Sequence, residues 1–214
     1  MTYPTLVIGN RNYSSWSLRA WLFLHASGVA FEERRLALDT PGFHSPTGRV
    51  PVLIHGAVRV WEALAICEFA DATYGLEGWP EAPAPRAEAL AIAHEMHAGF
   101  AALRAELPMN CRARRRGVKP SAAAVADIRR VVGIWCVCRE IYGNDGPFLF
   151  GRFSIADAMY APVALRYLTY GIELPPAAAD YTQAIAGHPS VVEWLAAAAE
   201  EPEIIDREEV GEPA

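Results

Sequence analysis

Residues 6–22, LVIGNRNYSSWSLRAWL, decide how the rest of the chain must be arranged. Leu6, Val7 and Ile8 form an apolar, strand-like run that Gly9 and Asn10 break, and apolar residues return over 18–24 at helical spacing. The order is strand, polar turn, helix. Ser14, Ser15 and Ser17 fall at the junction, where one hydroxyl can cap the helix. Unpaired backbone N–H groups and the positive end of the helix dipole also favour a bound anion there. A plain N-cap is the default reading, although a cap needs only one serine and three are present.

Working outward, residues 29–36, VAFEERRL, alternate well enough for a second strand on the same sheet, giving a β-α-β start. Residues 39–48 are rich in turn formers and lead into Val50-Pro51-Val52-Leu53-Ile54. Pro51 heads a short apolar strand and cannot donate to a ladder. Its value lies in φ, in a cis bond, or in leaving the backbone of Val50 free for a ligand. His55-Gly56 turns the chain into a hairpin partner at 58–61, and residues 62–74 form a one-sided helix stopped by Gly75.

Residues 76–86 carry Pro80, Pro83 and Pro85 and make the best linker in the chain. Beyond it alanine dominates and strand signals almost vanish. Residues 87–107 and 121–142 read as long amphipathic helices, and Ser154-Ile155-Ala156-Asp157 as a capping box that starts a helix running to Tyr170 with Pro162 inside it. Two further helices open near Pro175 and Pro189. The expected organisation is an α/β domain over 1–77, a linker over 78–86, an all-helical domain over 87–199 and an acidic tail over 200–214.

Charge and composition exclude several functions. Seven acids and one arginine in 200–214 account for the whole net charge of −6, and the remainder balances at 18 against 18. The chain therefore has no overall field for nucleic acid, and the tail reads as a solvated, partly disordered end. The basic run of Arg112, Arg114, Arg115, Arg116 and Lys119 has no interleaved aromatics and reads as a solvated loop neutralising nearby acids. No apolar run approaches the roughly 18 residues of a spanning helix, and the first residues lack a secretory pattern, so a cytoplasmic protein without a membrane role is expected. Cys67, Cys111, Cys136 and Cys138 have no zinc or CxxC spacing, and His25, His44 and His94 have no partner at metal spacing. Reduced thiols and no metal site are expected.

Four motifs together resemble the cytosolic glutathione S-transferase superfamily: SSWSLRAW at 14–21, VPVL at 50–53, WEALAICEFA at 61–70 and FLFGRFSIADA at 148–158. The first is similar to the serine motif of the zeta class, with Trp16 where that motif has cysteine. The resemblance implies a thioredoxin-like α/β N-terminal domain and an all-α helical-bundle C-terminal domain. It also implies glutathione as the bound thiol, a small electrophile as second substrate, and a homodimer. By the same resemblance Ser14, with Ser15 as alternate, would donate a hydrogen bond to the glutathione sulfur and favour thiolate over thiol. Val50, ahead of a cis-Pro51, would pair with the cysteinyl segment, and Glu62 would face the γ-glutamyl amino group.

One departure has a consequence for affinity. Ala63 stands where the superfamily usually carries a serine or threonine that holds the γ-glutamyl carboxylate. Loss of a hydrogen bond to a charged group costs about 1.5 to 3 kcal/mol, so weakened glutathione affinity is expected. On the helix after the linker, His97, Phe100 and Arg104 share a face that would border the electrophile pocket. Phe100 also suits core packing, and Arg104 suits an anionic substrate. Asp157 reads as structural, with Asp157→Ala costing about 1 kcal/mol of stability. The principal expectation is a glutathione transferase. The alternatives are an isomerase of maleylacetoacetate type and a non-catalytic interaction protein that keeps the fold, which Ala63 favours.

Overall fold

The computed structural model describes residues 3–38 and 47–213. Most of the turn-rich segment at 39–48, including His44, lies outside them. Strand β1 (Thr5–Ile8) leads through the serine turn to helix α1 (Ser15–Ala26), followed by β2 (Glu32–Arg35), β3 (Val52–His55), β4 (Val58–Trp61) and α2 (Ala63–Tyr74). The sheet order is β2-β1-β3-β4, with β2 parallel to β1 and the other pairs antiparallel. This is the expected thioredoxin-like arrangement. The sequence EERR of β2 is exposed throughout, and charged side chains on an edge strand discourage pairing with another chain.

The second half is helical: α3 (Pro83–Ala98), α4 (Ala101–Glu106), α5 (Ala122–Tyr142), α6 (Ile155–Tyr170), α7 (Pro176–Ala186) and α8 (Pro189–Ala199). In α6 every residue except Leu168 is buried, which suits a helix apolar on all sides at the centre of a bundle. Its start is locked as expected: the capping box forms, and Asp157 accepts from the backbone N–H and hydroxyl of Ser154 at 2.9 and 2.8 Å. Leu149 N–H donates to the same carboxylate at 3.0 Å. The buried thiols fit the expected reduced state: burial pushes Cys67 up strongly, and Cys111 and Cys138 up to about 12.

Three expectations are corrected. The single helix expected over 87–107 begins earlier, at Pro83, and breaks at Gly99 and Phe100, where Phe100 takes a left-handed backbone (φ 57°) before α4 begins. The basic run is not simply a solvated loop. Arg115 and Arg116 form a short strand, β5, paired with β6 (Glu212–Pro213), and Arg112 donates to the carbonyls of Glu201 and Glu203. The tail is not a free end either. Glu201 is buried and accepts from the N–H groups of Arg11 and Asn12 at 2.8 and 3.0 Å, Glu203 meets Arg35 at 2.8 Å, and Glu209 pairs with Arg115. Acidic composition predicted solvation, but the tail's carboxylates meet donors brought together from both halves of the chain.

Candidate functional site

The turn between β1 and α1 is built to a tight tolerance. A Cβ at Gly9 would stand 2.6 Å from the tip of the Leu38 side chain, 3.1 Å from Val50 and 3.2 Å from Ser14, so glycine lets these segments meet without displacing their side chains. Gly9 N–H donates to Ser17 Oγ at 3.0 Å, Asn10 carbonyl accepts from Ser14 N–H at 2.8 Å, and Asn10 Oδ1 accepts from Leu38 N–H at 2.6 Å. Ser14 occupies the N-cap position of α1, yet its hydroxyl makes no capping bond and donates instead to Ser17 Oγ at 2.8 Å. The plain N-cap reading is therefore corrected. Ser15, the first residue of α1, accepts from Arg166 Nη2 at 3.3 Å.

Both serines open on a cleft of about 600 Å³. Leu36, Leu38, Arg49 and Val50 contribute one side, α4 contributes Arg104, and Met109, Arg166 and Glu208 complete the lining with Tyr13 and Trp16. A second cavity of about 180 Å³ shares Trp16, Arg49, Val50 and Arg104 with it and adds Pro51, Glu62 and His97. The larger volume falls within the 300 to 1,000 Å³ usual for small-molecule sites. The peptide bond between Val50 and Pro51 is cis, as expected.

Of the residues singled out from the sequence, Ser14, Ser15, Val50 and Arg104 line the larger cleft, and Val50, Pro51, Glu62, His97 and Arg104 the smaller. Glu62 holds a positive φ of 71° at the head of α2, and its carboxylate lies 3.8 Å from His97 Nε2. Partial burial lowers the pKa of His97, opposed by Glu62. Ala63 and Phe100 line neither cavity. Ala63 is the fully buried first residue of α2, and Phe100 packs in the core because the helix break separates it from the face it was expected to share with His97 and Arg104. His97 stacks edge-on against Trp16 at 5.3 Å.

Tyr13, Arg19, Arg166 and Glu208 escaped sequence reasoning. A signal existed for two of them, since Arg19 and Arg166 are lone charges inside otherwise apolar helical stretches, where a charged side chain demands a reason. Glu208 carried none, because its position depends on how the tail folds back. Among the described residues no cluster of His, Cys, Asp and Glu could hold a metal ion, and no helix is long and apolar enough to cross a membrane.

Comparison with known proteins agrees with this fold. Residues 13–73 match the family described as glutathione S-transferase, N-terminal domain. Among solved structures, a glutathione transferase homologue from Burkholderia GL BGR1 with bound glutathione is 23% identical with a TM-score of 0.73, the match covering 94% of this chain and 100% of that one. A theta class enzyme from Xanthomonas axonopodis pv. citri with glutathione bound is 23% identical, with a TM-score of 0.64 and coverage of 91% and 98%. A Tau class enzyme from mango, Mangifera indica, is 19% identical, with a TM-score of 0.67 and coverage of 92% and 96%. Identities this low establish the shared fold. No curated protein matches the chain.

Proposed function

We propose that the chain, whose residues 13–73 match the N-terminal domain of glutathione S-transferases and whose fold is theirs, is a glutathione transferase acting on a small electrophile. The observation that carries the reading is the position of Ser14. It stands at the head of α1 on the wall of a cleft that the serine turn, Val50 and α4 all reach. In this proposal Ser14 turns its hydroxyl from Ser17 to the thiol sulfur and, with the first N–H groups of α1, favours the thiolate. Val50, beside Pro51, offers its backbone to the cysteinyl segment, and Glu62 faces the γ-glutamyl amino group. The two cavities, which share Trp16, Arg49, Val50 and Arg104 in their linings, give a tripeptide room along one wall and leave the α4 side for the electrophile. Subunits pair as a homodimer.

Calorimetry with glutathione tests the reading, run beside Ala63→Ser. We expect saturable binding by the wild type and, in the variant, a hydroxyl at the α2 N-terminus that tightens it by about tenfold or more, the equivalent of one hydrogen bond to a charged group. Light scattering on the same sample should give twice the chain mass of 23.4 kDa. An unchanged or weaker affinity in Ala63→Ser removes the assigned γ-glutamyl site. Absence of binding in the wild type, restored in the variant, moves the assignment to a non-catalytic interaction protein, which Ala63 favours.

A further inference from the structure

Three guanidinium groups gather at the α4 and α6 side of the cleft with no acid between them. Arg166 and Arg104 line the cleft, and Arg19 is fully buried nearby, with the Trp16 ring centroid 4.3 Å from its guanidinium and 5.4 Å from that of Arg104. Arg166 is 4% exposed. Among the described residues, no ion pair involves any of the three.

Their partners are neutral. Arg19 donates to the carbonyls of Met159 and Ser15 at 2.8 and 3.1 Å, and its Nη2 has no partner. Arg166 donates to the carbonyls of Leu107 and Pro162 at 2.8 and 3.2 Å and to Ser15 Oγ. Arg104 Nε is buried without a partner. Carbonyls and a hydroxyl satisfy N–H groups but leave the charge in place, and buried charge is tolerated when something compensates for it. Burial, with Arg104 close by, pushes Arg166 down to about 10, and burial with both neighbours lowers Arg19 as well. Two acids act on the cluster from a distance, Asp127 on Arg104 and Glu208 on Arg166. Glu208 lines the cleft but lies 3.4 Å from Arg207.

We propose that the electrophile accepted beside Ser14 carries a carboxylate, which Arg166 and Arg104 receive together with the Ser15 hydroxyl. This rests on the glutathione transferase reading and names the substrate class of that site. Ser15 already accepts from Arg166, so its own proton is available to the incoming anion. A carboxylate there completes the donor set of Arg104 and offsets the charge of a wall that the folded chain holds ready, which is preorganisation rather than induced fit.

The test uses two glutathione conjugates of equal length, S-hexylglutathione and S-(5-carboxypentyl)glutathione, titrated by calorimetry with glutathione itself as reference. In the wild type the carboxylated conjugate should bind at least about tenfold more tightly than the hexyl one, as charge-assisted hydrogen bonds predict. Arg104→Gln should erase most of that ratio, with the affinity for glutathione itself falling by less than the ratio does. Arg166→Lys, which keeps the charge but loses the fork, should reduce it, and Glu208→Gln should enlarge it. Equal affinity for the two conjugates, with glutathione bound normally, overturns the carboxylate assignment and leaves the transferase reading standing. A parallel loss of glutathione affinity in Arg104→Gln also overturns it, by assigning the arginines to the tripeptide's own carboxylate. Failure of glutathione to bind the wild type defeats the underlying reading instead.

Discussion

At the residue scale the two adjacent serines are set apart by their partners. Ser14 Oγ donates to Ser17, a neutral acceptor it can exchange for a thiolate at small cost, whereas Ser15 Oγ is fixed by a guanidinium from α6. Ser14→Ala should therefore raise the pKa of bound glutathione by about one to two units and lower kcat, since a hydrogen bond to the charged form is what holds that pKa down. Ser15→Ala should leave the thiol pKa in place and raise KM for a carboxylated electrophile. Thiol ultraviolet absorbance against pH separates these outcomes. A larger thiol shift in Ser15→Ala would exchange the two roles, and no change in either variant would remove serine from the mechanism. The sequence narrowed the choice to this pair but left it open, because Arg166 is 151 residues away along the chain.

At the element scale, α6 shows how a local signal acquires a larger consequence. Asp157 was legible as the last member of a capping box, but not as a fully buried group that also holds the loop before the helix through Leu149. Asp157→Ala thus removes three hydrogen bonds, and its cost should be about 2 to 4 kcal/mol rather than the 1 kcal/mol of a surface cap, with kcat spared. Burial pushes the Asp157 carboxyl up to about 6, opposed by its Leu149 and Ser154 donors. A carboxyl whose folded pKa exceeds its unfolded value of about 3.9 binds more protons when folded, so its contribution to stability falls as pH rises between about 4 and 6. Urea unfolding across that range should show a decline of on the order of 2 kcal/mol that Asp157→Asn abolishes. A parallel pH dependence in both proteins would place the titration elsewhere.

At the scale of the whole molecule, the serine turn is held from outside its own domain. Glu201 from the tail takes the N–H groups of Arg11 and Asn12, Trp194 donates to the Arg11 carbonyl at 3.0 Å, and Tyr13 donates to Glu209 at 2.6 Å while accepting from Arg112 at 3.0 Å. Glu201→Ala should leave two backbone donors unpaired, lower stability by about 2 to 3 kcal/mol and weaken glutathione binding, because the turn that aims Ser14 loses its anchor. Urea unfolding and calorimetry on one preparation would check this; loss of stability with glutathione affinity intact would show that the turn holds its shape unaided. The sequence by itself determined the strand–turn–helix opening, the change from mixed α/β to all-helical structure and most helix ends, since glycine, proline and apolar periodicity act within a few residues. Only the tertiary structure decided that Phe100 turns into the core, that the acidic tail docks, and that three arginines meet beside Ser15. Those outcomes depend on burial and on charges from distant segments sharing one small volume, which no local pattern in the chain encodes.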